Sequence, residues 1–119
     1  VGVIVHIARI EEWEQAQVKG AYRTASLETQ GFIHFSLPEQ IVRTANTFYA
    51  GRTGLVLLCV DPVRLRSELR YEIGNESTGE VFPHLYGPLN LDAVMKVIDF
   101  SPGADGMFTL PEGIPSGRV

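Results

Sequence analysis

The alternation of apolar and polar positions divides the chain into short segments with different periods. Val3 to Ala8 is an apolar, largely β-branched run around one histidine and predicts a buried strand. Glu11 to Lys19 predicts a helix: acidic residues fill its first turn, Trp13 and Ala16 lie three apart, and Gly20 stops it. Gly31 to Ser36 predicts a second strand. From Pro38, Ile41, Ala45, Phe48 and Tyr49 recur at the spacing of one buried helical face, ended by Gly51. Gly54 to Asp61 is the most apolar segment and reads as a central strand. Asp61-Pro62 breaks it, and one helical turn fits over Val63 to Leu69.

The second half has a different texture. Leu69 to Ile73 alternates Leu, Tyr and Ile against Arg70 and Glu72, as a strand with one wet face does. Asn75 to Glu80 is a polar turn. Val81 to Gly87 is extended, and Pro83 and Pro88 argue for an edge position. Val94 to Phe100 alternates again, and Asp105-Gly106 turns the chain into Met107 to Leu110 as a hairpin. The Gly, Pro and Ser content beyond Pro111 predicts a loose tail over 112–119 behind a single domain spanning 1–111. No repeat or linker interrupts it. Two early helices followed by strands predict an α+β fold with mostly antiparallel strands.

Composition narrows the function classes. A chain of 119 residues, 45% hydrophobic, supports one core. The net charge is −4, and the cations are eight Arg and only two Lys, which excludes a generally basic surface for DNA. The longest apolar runs, such as Leu55 to Val60, fall far short of the roughly 20 residues that span a bilayer. One cysteine excludes internal disulfides and CxxC motifs, and Cys59, set in Leu-Val-Leu-Leu-Cys-Val, reads as an inert core thiol. With no charged leader and apolar stretch at its start, the chain is expected to be soluble and cytoplasmic.

Candidate chemistry rests on three histidines, each in an apolar or aromatic strand segment: His6, His34 and His84. A half-buried imidazole needs partners on both ring nitrogens. Any one of them can be structural, but three in the same context point to a site. By strand parity His6 shares a face with Ile4 and Ala8, and His34 shares one with Phe32 and Ser36, so pairing of the two strands would line one cleft with both rings. A three-His zinc site is the rival, yet spacings of 28 and 50 positions match no local ligand motif, and no metal is assigned. Arg70 and Glu72 are either a solvent-facing ion pair or a guanidinium aimed by Glu72 at a phosphate or carboxylate. Phe82 to Asp92 carries His84, Tyr86, Asn90, Asp92 and two prolines. It reads as a rigid ligand-binding segment whose Tyr86 stacks on a base, or as a well-packed edge. Gly74 to Gly79 fits neither a P-loop nor a dinucleotide fingerprint and is a hairpin turn.

One ordered set of residues is shared with a known family. It comprises His6-Ile7-Ala8, Trp13, Gly20, Ser26-Leu27, Gly31 to Ser36, Asn46 to Tyr49, Leu55 to Leu58, Leu69 to Glu72, Phe82 to Val94 and Asp105-Gly106. The chain resembles the bacterial and plant family known as domain of unknown function 952, from about Val3 to Pro111, and Phe-Pro-His-Leu-Tyr-Gly-Pro-Leu makes the likeness specific. His34-Phe35 stands where that family is associated with His-Cys. The resemblance implies a compact α+β fold similar to ADP-ribosyltransferases, with NAD as the cofactor or substrate held between two small sheets. It further implies His6 on a ribose hydroxyl, Tyr86 or Tyr49 on the nicotinamide, and Glu72 or Asp92 as the acid facing an oxocarbenium-like transition state.

Two functions follow as expectations. The first is an NAD- or nucleotide-handling enzyme acting at a glycosidic or phosphoryl bond, with His34, Glu72 and Asp92 as catalytic groups and His6, Ser36, Arg70, His84 and Tyr86 holding the ligand. The second is a non-catalytic module that binds a small anionic, nucleotide-like or acidic metabolite in the same pocket.

Overall fold

The most apolar run takes the position that buries most. In the computed structural model, which describes residues 2–115, strand β4 (Leu55–Val60) has all six side chains buried. It lies between β1 (Ile4–Arg9) and β8 (Val94–Phe100) in an antiparallel sheet of order β1-β4-β8. His6 stands opposite Leu58, and Leu57 opposite Ile98. Alternate side chains leave a strand on opposite faces. Leu55, Leu57 and Cys59, with Val5, Ile7 and Phe100, pack on Ile41 and Ala45 of helix α3 (Ile41–Phe48). Val56, Leu58 and Val60, with Ile4 and Ala8, face helix α1 (Ile10–Lys19) through Ala16 and Trp13, and a second sheet through Ile33 and Leu85. Burying one Leu or Val is worth about 1.5–3 kcal/mol, so a strand buried on both faces is where the fold is anchored. Helix α1 stops at Gly20, which adopts φ 89° and returns its N–H to the Ala16 carbonyl at 2.8 Å.

The second sheet has the order β3-β6-β5, with β3 (Ile33–His34), β6 (Glu80–Tyr86) and β5 (Glu68–Asn75) all antiparallel. The short strands β2 (Ala21–Tyr22) and β7 (Leu89–Asn90) pair with each other. A short helix α2 (Ala25–Thr29) leads into β3. One tetrapeptide joins the two three-stranded sheets. Ile33 and His34 pair with β6, the Phe35 N–H donates to the Pro83 carbonyl at 3.0 Å, and Ser36 exchanges both backbone hydrogen bonds with Val5 at 2.8 and 2.9 Å. The architecture is α+β and antiparallel. No helix among the described residues is long and apolar enough to cross a membrane.

Several expectations need correction. The segment with Pro83 is the centre of its sheet, not an edge. In an antiparallel ladder the N–H and C=O of one residue point the same way. The Pro83 carbonyl accepts from Phe35, so the missing N–H faces β3, which ends at His34, and the vacancy interrupts no longer ladder. Met107 to Leu110 forms no strand. The turn before it exists, with the Gly103 N–H on the Met107 carbonyl at 2.8 Å. Beyond it the Asn46 side-chain amide acts as the strand partner: its Oδ1 accepts from Phe108 N–H at 2.7 Å and its Nδ2 donates to the Phe108 carbonyl at 3.2 Å. That holds the Phe108 ring on Phe100 in the core. The helical turn after Asp61 is shorter than expected, Pro62–Arg64, because the strand resumes at Glu68. The core takes Ile41 and Ala45 of α3 and Tyr49 just beyond it, and leaves Phe48 71% exposed. Of the expected tail, Ile114 packs against the α3 side of the core, and 116–119 lie outside the described residues.

The Asn46 clamp yields a stability prediction. Asn46→Ala leaves the half-buried N–H and C=O of Phe108 without partners, which costs about 1–3 kcal/mol. Urea unfolding of the variant checks it, and a loss within measurement error would show that the clamp is dispensable.

Candidate functional site

The outer face of the β3-β6-β5 sheet follows from strand parity. His34 stands opposite His84, and His84 stands opposite Arg70, so the three form one row across the sheet. Glu68, Glu72 and Tyr86 flank the row on the same face, while Ile33, Leu85 and Leu69 turn inward to the core. The His34 and His84 ring centres are 5.7 Å apart, nearly perpendicular. Phe32 stacks on His84 with ring centres 4.0 Å apart, and the Tyr86 ring lies under the Arg70 guanidinium at 4.5 Å.

The hydrogen bonds assign protons. His84 Nδ1–H donates to Glu72 Oε1 at 2.8 Å, and the Tyr86 hydroxyl donates to the same oxygen at 2.6 Å. His84 is thereby oriented with Nε2 unpartnered among the described residues. His34 Nε2–H donates to Gln30 Oε1 at 2.6 Å, which leaves its Nδ1 as the acceptor. The Tyr86 hydroxyl, then His84, hold the Glu72 carboxyl below the ordinary carboxylate range. The same bond raises the Tyr86 phenol. Desolvation, then the neighbouring His84, lowers His34 below the ordinary imidazole value. The proximity of the two rings therefore disfavours a proton on His34.

Five of the eight residues expected from sequence meet on this face: His34, Arg70, Glu72, His84 and Tyr86. Arg70 and Glu72 do not pair with each other. Glu68, two positions earlier, takes Arg70 through its Nε and Nη2 at 3.0 and 3.1 Å, because Glu72 is committed to His84 and Tyr86. His6 is elsewhere. Its side chain lies between the two sheets, 8% exposed, so the two strands do not line one cleft with the His6 and His34 rings. His6 Nδ1–H donates to the backbone carbonyl of His34 at 2.6 Å and Nε2 accepts from the Tyr22 hydroxyl at 2.9 Å. Both nitrogens are used, and none remains for a ribose hydroxyl. Ser36 is buried and serves through its backbone bridge to Val5. Asp92 sits in a turn, Leu91–Ala93, before β8; it accepts from Asn90 Nδ2 at 2.6 Å and pairs with Arg66 at 2.8 Å. Its polar partners are none of the site residues. Gln30, Phe32, Glu68 and Tyr22 were not singled out in the sequence. Only Phe32 carried a signal, its shared parity with His34; the others are ordinary residues until the strands are paired.

No three His, Cys, Asp or Glu side chains converge as metal ligands among the described residues. Cavities of about 300 and 620 Å³ lie away from the row, one beside Trp13 and Met95, the other beside Leu37 and Tyr71. Within the row His34 and Arg70 are exposed, whereas His84 is 5% exposed and covered by Phe32.

Burial lowers His6 to about 4, well below its ordinary 6.5. The folded state then holds the ring neutral where the unfolded chain protonates it, so stability is full above pH 6.5 and falls as pH drops toward 4. Between pH 7.5 and 5 the loss is about 2 kcal/mol from this group. His6→Gln should flatten that slope in urea titrations; an unchanged slope would show that His6 is not the proton-linked group.

A search of the curated proteins returns no match. Among solved structures, the crystal structure of protein CC0527 from Caulobacter crescentus is 36% identical, with a TM-score of 0.82 over 91% of this chain and 94% of that one. The solution NMR structure of CC0527 is 34% identical, with a TM-score of 0.70 over 91% and 92% of the two chains. Residues 7–97 match the family described as protein of unknown function (DUF952), and the chain belongs to that family.

Proposed function

We propose that the outer face of the β3-β6-β5 sheet binds a nucleotide-sized phosphate ester and moves protons at its phosphoryl group between His34 and His84. The observation that carries this reading is the Glu72-His84-His34 arrangement. A carboxylate fixes Nδ1–H of one imidazole and turns its Nε2 away, beside a second imidazole whose protonation is disfavoured. Such a pair sets two imidazoles side by side with their ring nitrogens oriented differently, an arrangement that acid–base catalysis can use in both directions.

In this reading His34 Nδ1 takes the proton of an attacking hydroxyl or water as the new P–O bond forms. His84 Nε2–H gives its proton to the leaving oxygen as the old P–O bond breaks. Arg70 keeps Nη1 free of Glu68 and pairs with a phosphate oxygen, and the half-buried rings of Phe32 and Tyr86 flank a flat ring. A phosphoryl bond is favoured over a glycosidic one because both carboxylates available as the acid are engaged, Glu72 with His84 and Tyr86, Asp92 with Asn90 and Arg66. The grip on NAD implied by the resemblance does not fit, since it relies on a free His6 nitrogen. The exposure of His34 and Arg70 favours a second reading, binding without turnover, since water reaches both side chains.

A thermal-shift series with nucleoside monophosphates, nucleoside 2′,3′-cyclic phosphates, NAD and ADP-ribose, with the unphosphorylated nucleoside as control, separates these. A phosphorylated ligand at 100 times its dissociation constant should stabilise by about 2.7 kcal/mol, and the plain nucleoside should not. Turnover of a cyclic phosphate should follow a bell-shaped pH profile whose acid limb lies below 6.5, set by His34. His34→Ala and His84→Ala should each lower it by about 10²–10⁴. Binding without turnover establishes the module, and no shift with any phosphate ester refutes both.

A further inference from the structure

We propose that two copies of this chain associate through the free edge of β5, in a two-fold antiparallel pairing centred on Tyr71. Strand β5 is eight residues long, and β6 is its only strand partner among the described residues. An alternating strand was expected to bury Leu69, Tyr71 and Ile73; only Leu69 is half-buried, while Tyr71 and Ile73 are 53% and 58% exposed. A long edge with exposed apolar side chains is a template for another strand.

The backbone sets which groups are free. The Pro83 carbonyl points to β3, where it accepts from Phe35, so Pro83 turns its backbone polar groups away from β5. Tyr71 stands opposite Pro83 and therefore directs its own N–H and C=O outward, and Leu69 and Ile73, two positions away, do the same. Tyr71 is the middle of the unpaired row of donors and acceptors.

The side chains select the register. A two-fold axis normal to the sheet keeps each face on its own side, so directly opposed residues must share parity. Centred on Tyr71, Leu69 of one copy opposes Ile73 of the other, and Arg70 opposes Glu72, twice. A centre on Arg70 sets Arg70 against itself and Glu68 against Glu72; a centre on Glu72 sets that carboxylate against itself. A centre on Leu69 carries the partner onto Arg66, outside the strand and already held by Asp92. The Leu69 centre also sets Arg70 against Glu68, but the Tyr71 register is the one that matches its charges and keeps every opposed pair from Glu68 to Gly74 within the strand. It also spares existing contacts: His84 and Tyr86 use Glu72 Oε1 and leave Oε2, while Glu68 leaves Arg70 Nη1. The product is a continuous six-stranded antiparallel sheet with both histidine rows on one face, and each copy's Arg70 reaches the Glu72 that orients the other's His84. The contact is short, so the dimer is weak and depends on concentration.

Sedimentation velocity and light scattering on the full chain, from micromolar to millimolar concentration, test this. The mass should rise from one chain to two, and the amides of Leu69, Tyr71 and Ile73 should gain hydrogen-exchange protection over the same range. Tyr71→Asp, at an exposed position outside the histidine row, should keep its far-ultraviolet circular dichroism and dissociate at least about tenfold more readily, because like charges meet on the axis. Arg70→Glu should weaken association to a similar degree, and the double variant Arg70→Glu/Glu72→Arg should restore it. A monomer at millimolar concentration overturns the proposal. So does a dimer that Tyr71→Asp leaves unchanged, or a charge swap no better than Arg70→Glu alone.

Discussion

The four residues Ile33 to Ser36 hold the two halves of this protein together, and the remaining geometry depends on them. The segment pairs with β6 at His34, donates to Pro83 at Phe35 and bridges to β1 at Ser36. Beneath it, the buried His6 ring fastens the His34 carbonyl from one side and the Tyr22 hydroxyl from the other. The His6–Tyr22 bond is buried, where an unmade bond costs more than a made one gains. The same residue, His34, therefore has its backbone fixed from within and its imidazole presented outside. Core and site meet at a single position.

This explains a division of labour among three histidines that look alike in the sequence. Each lies in an apolar strand, and each could be structural or chemical on that ground. Pairing decides. His6 faces the interior and spends both nitrogens on the fold. His34 and His84 stand opposite each other on the outer face, one tethered by Gln30 and the other by Glu72. The outer row sets two imidazoles and a guanidinium between the carboxylates of Glu68 and Glu72.

Much of the fold was legible because it rests on uninterrupted apolar runs. Val3 to Ala8, Gly54 to Asp61 and Val94 to Phe100 all became strands of one sheet, and Glu11 to Lys19 a helix. The errors share a cause. The missing donor of Pro83 suggests an edge, yet the direction of that vacancy depends on where β3 stops. The pattern of Met107 to Leu110 suggests a strand, yet a distant Asn46 amide does the pairing. Local pattern carries periodicity but not partners. For the site, residue types and parity brought out His34, His84, Arg70, Glu72 and Tyr86, whereas Glu68 and Gln30 become meaningful only when cross-strand register is known. Asp92 shows the converse, an acid close in sequence to the site whose partners belong to another part of the fold.

The outer row, and not the His6 ring between the sheets, is the part proposed to meet the ligand. Imidazole carbon–proton NMR during titration with a nucleoside monophosphate tests it most directly. The account predicts that the His34 and His84 signals move together and saturate at one concentration while His6, sealed between the sheets, stays in place. Saturable movement of His6 with the outer pair unchanged, or no saturable movement of any histidine, would contradict it.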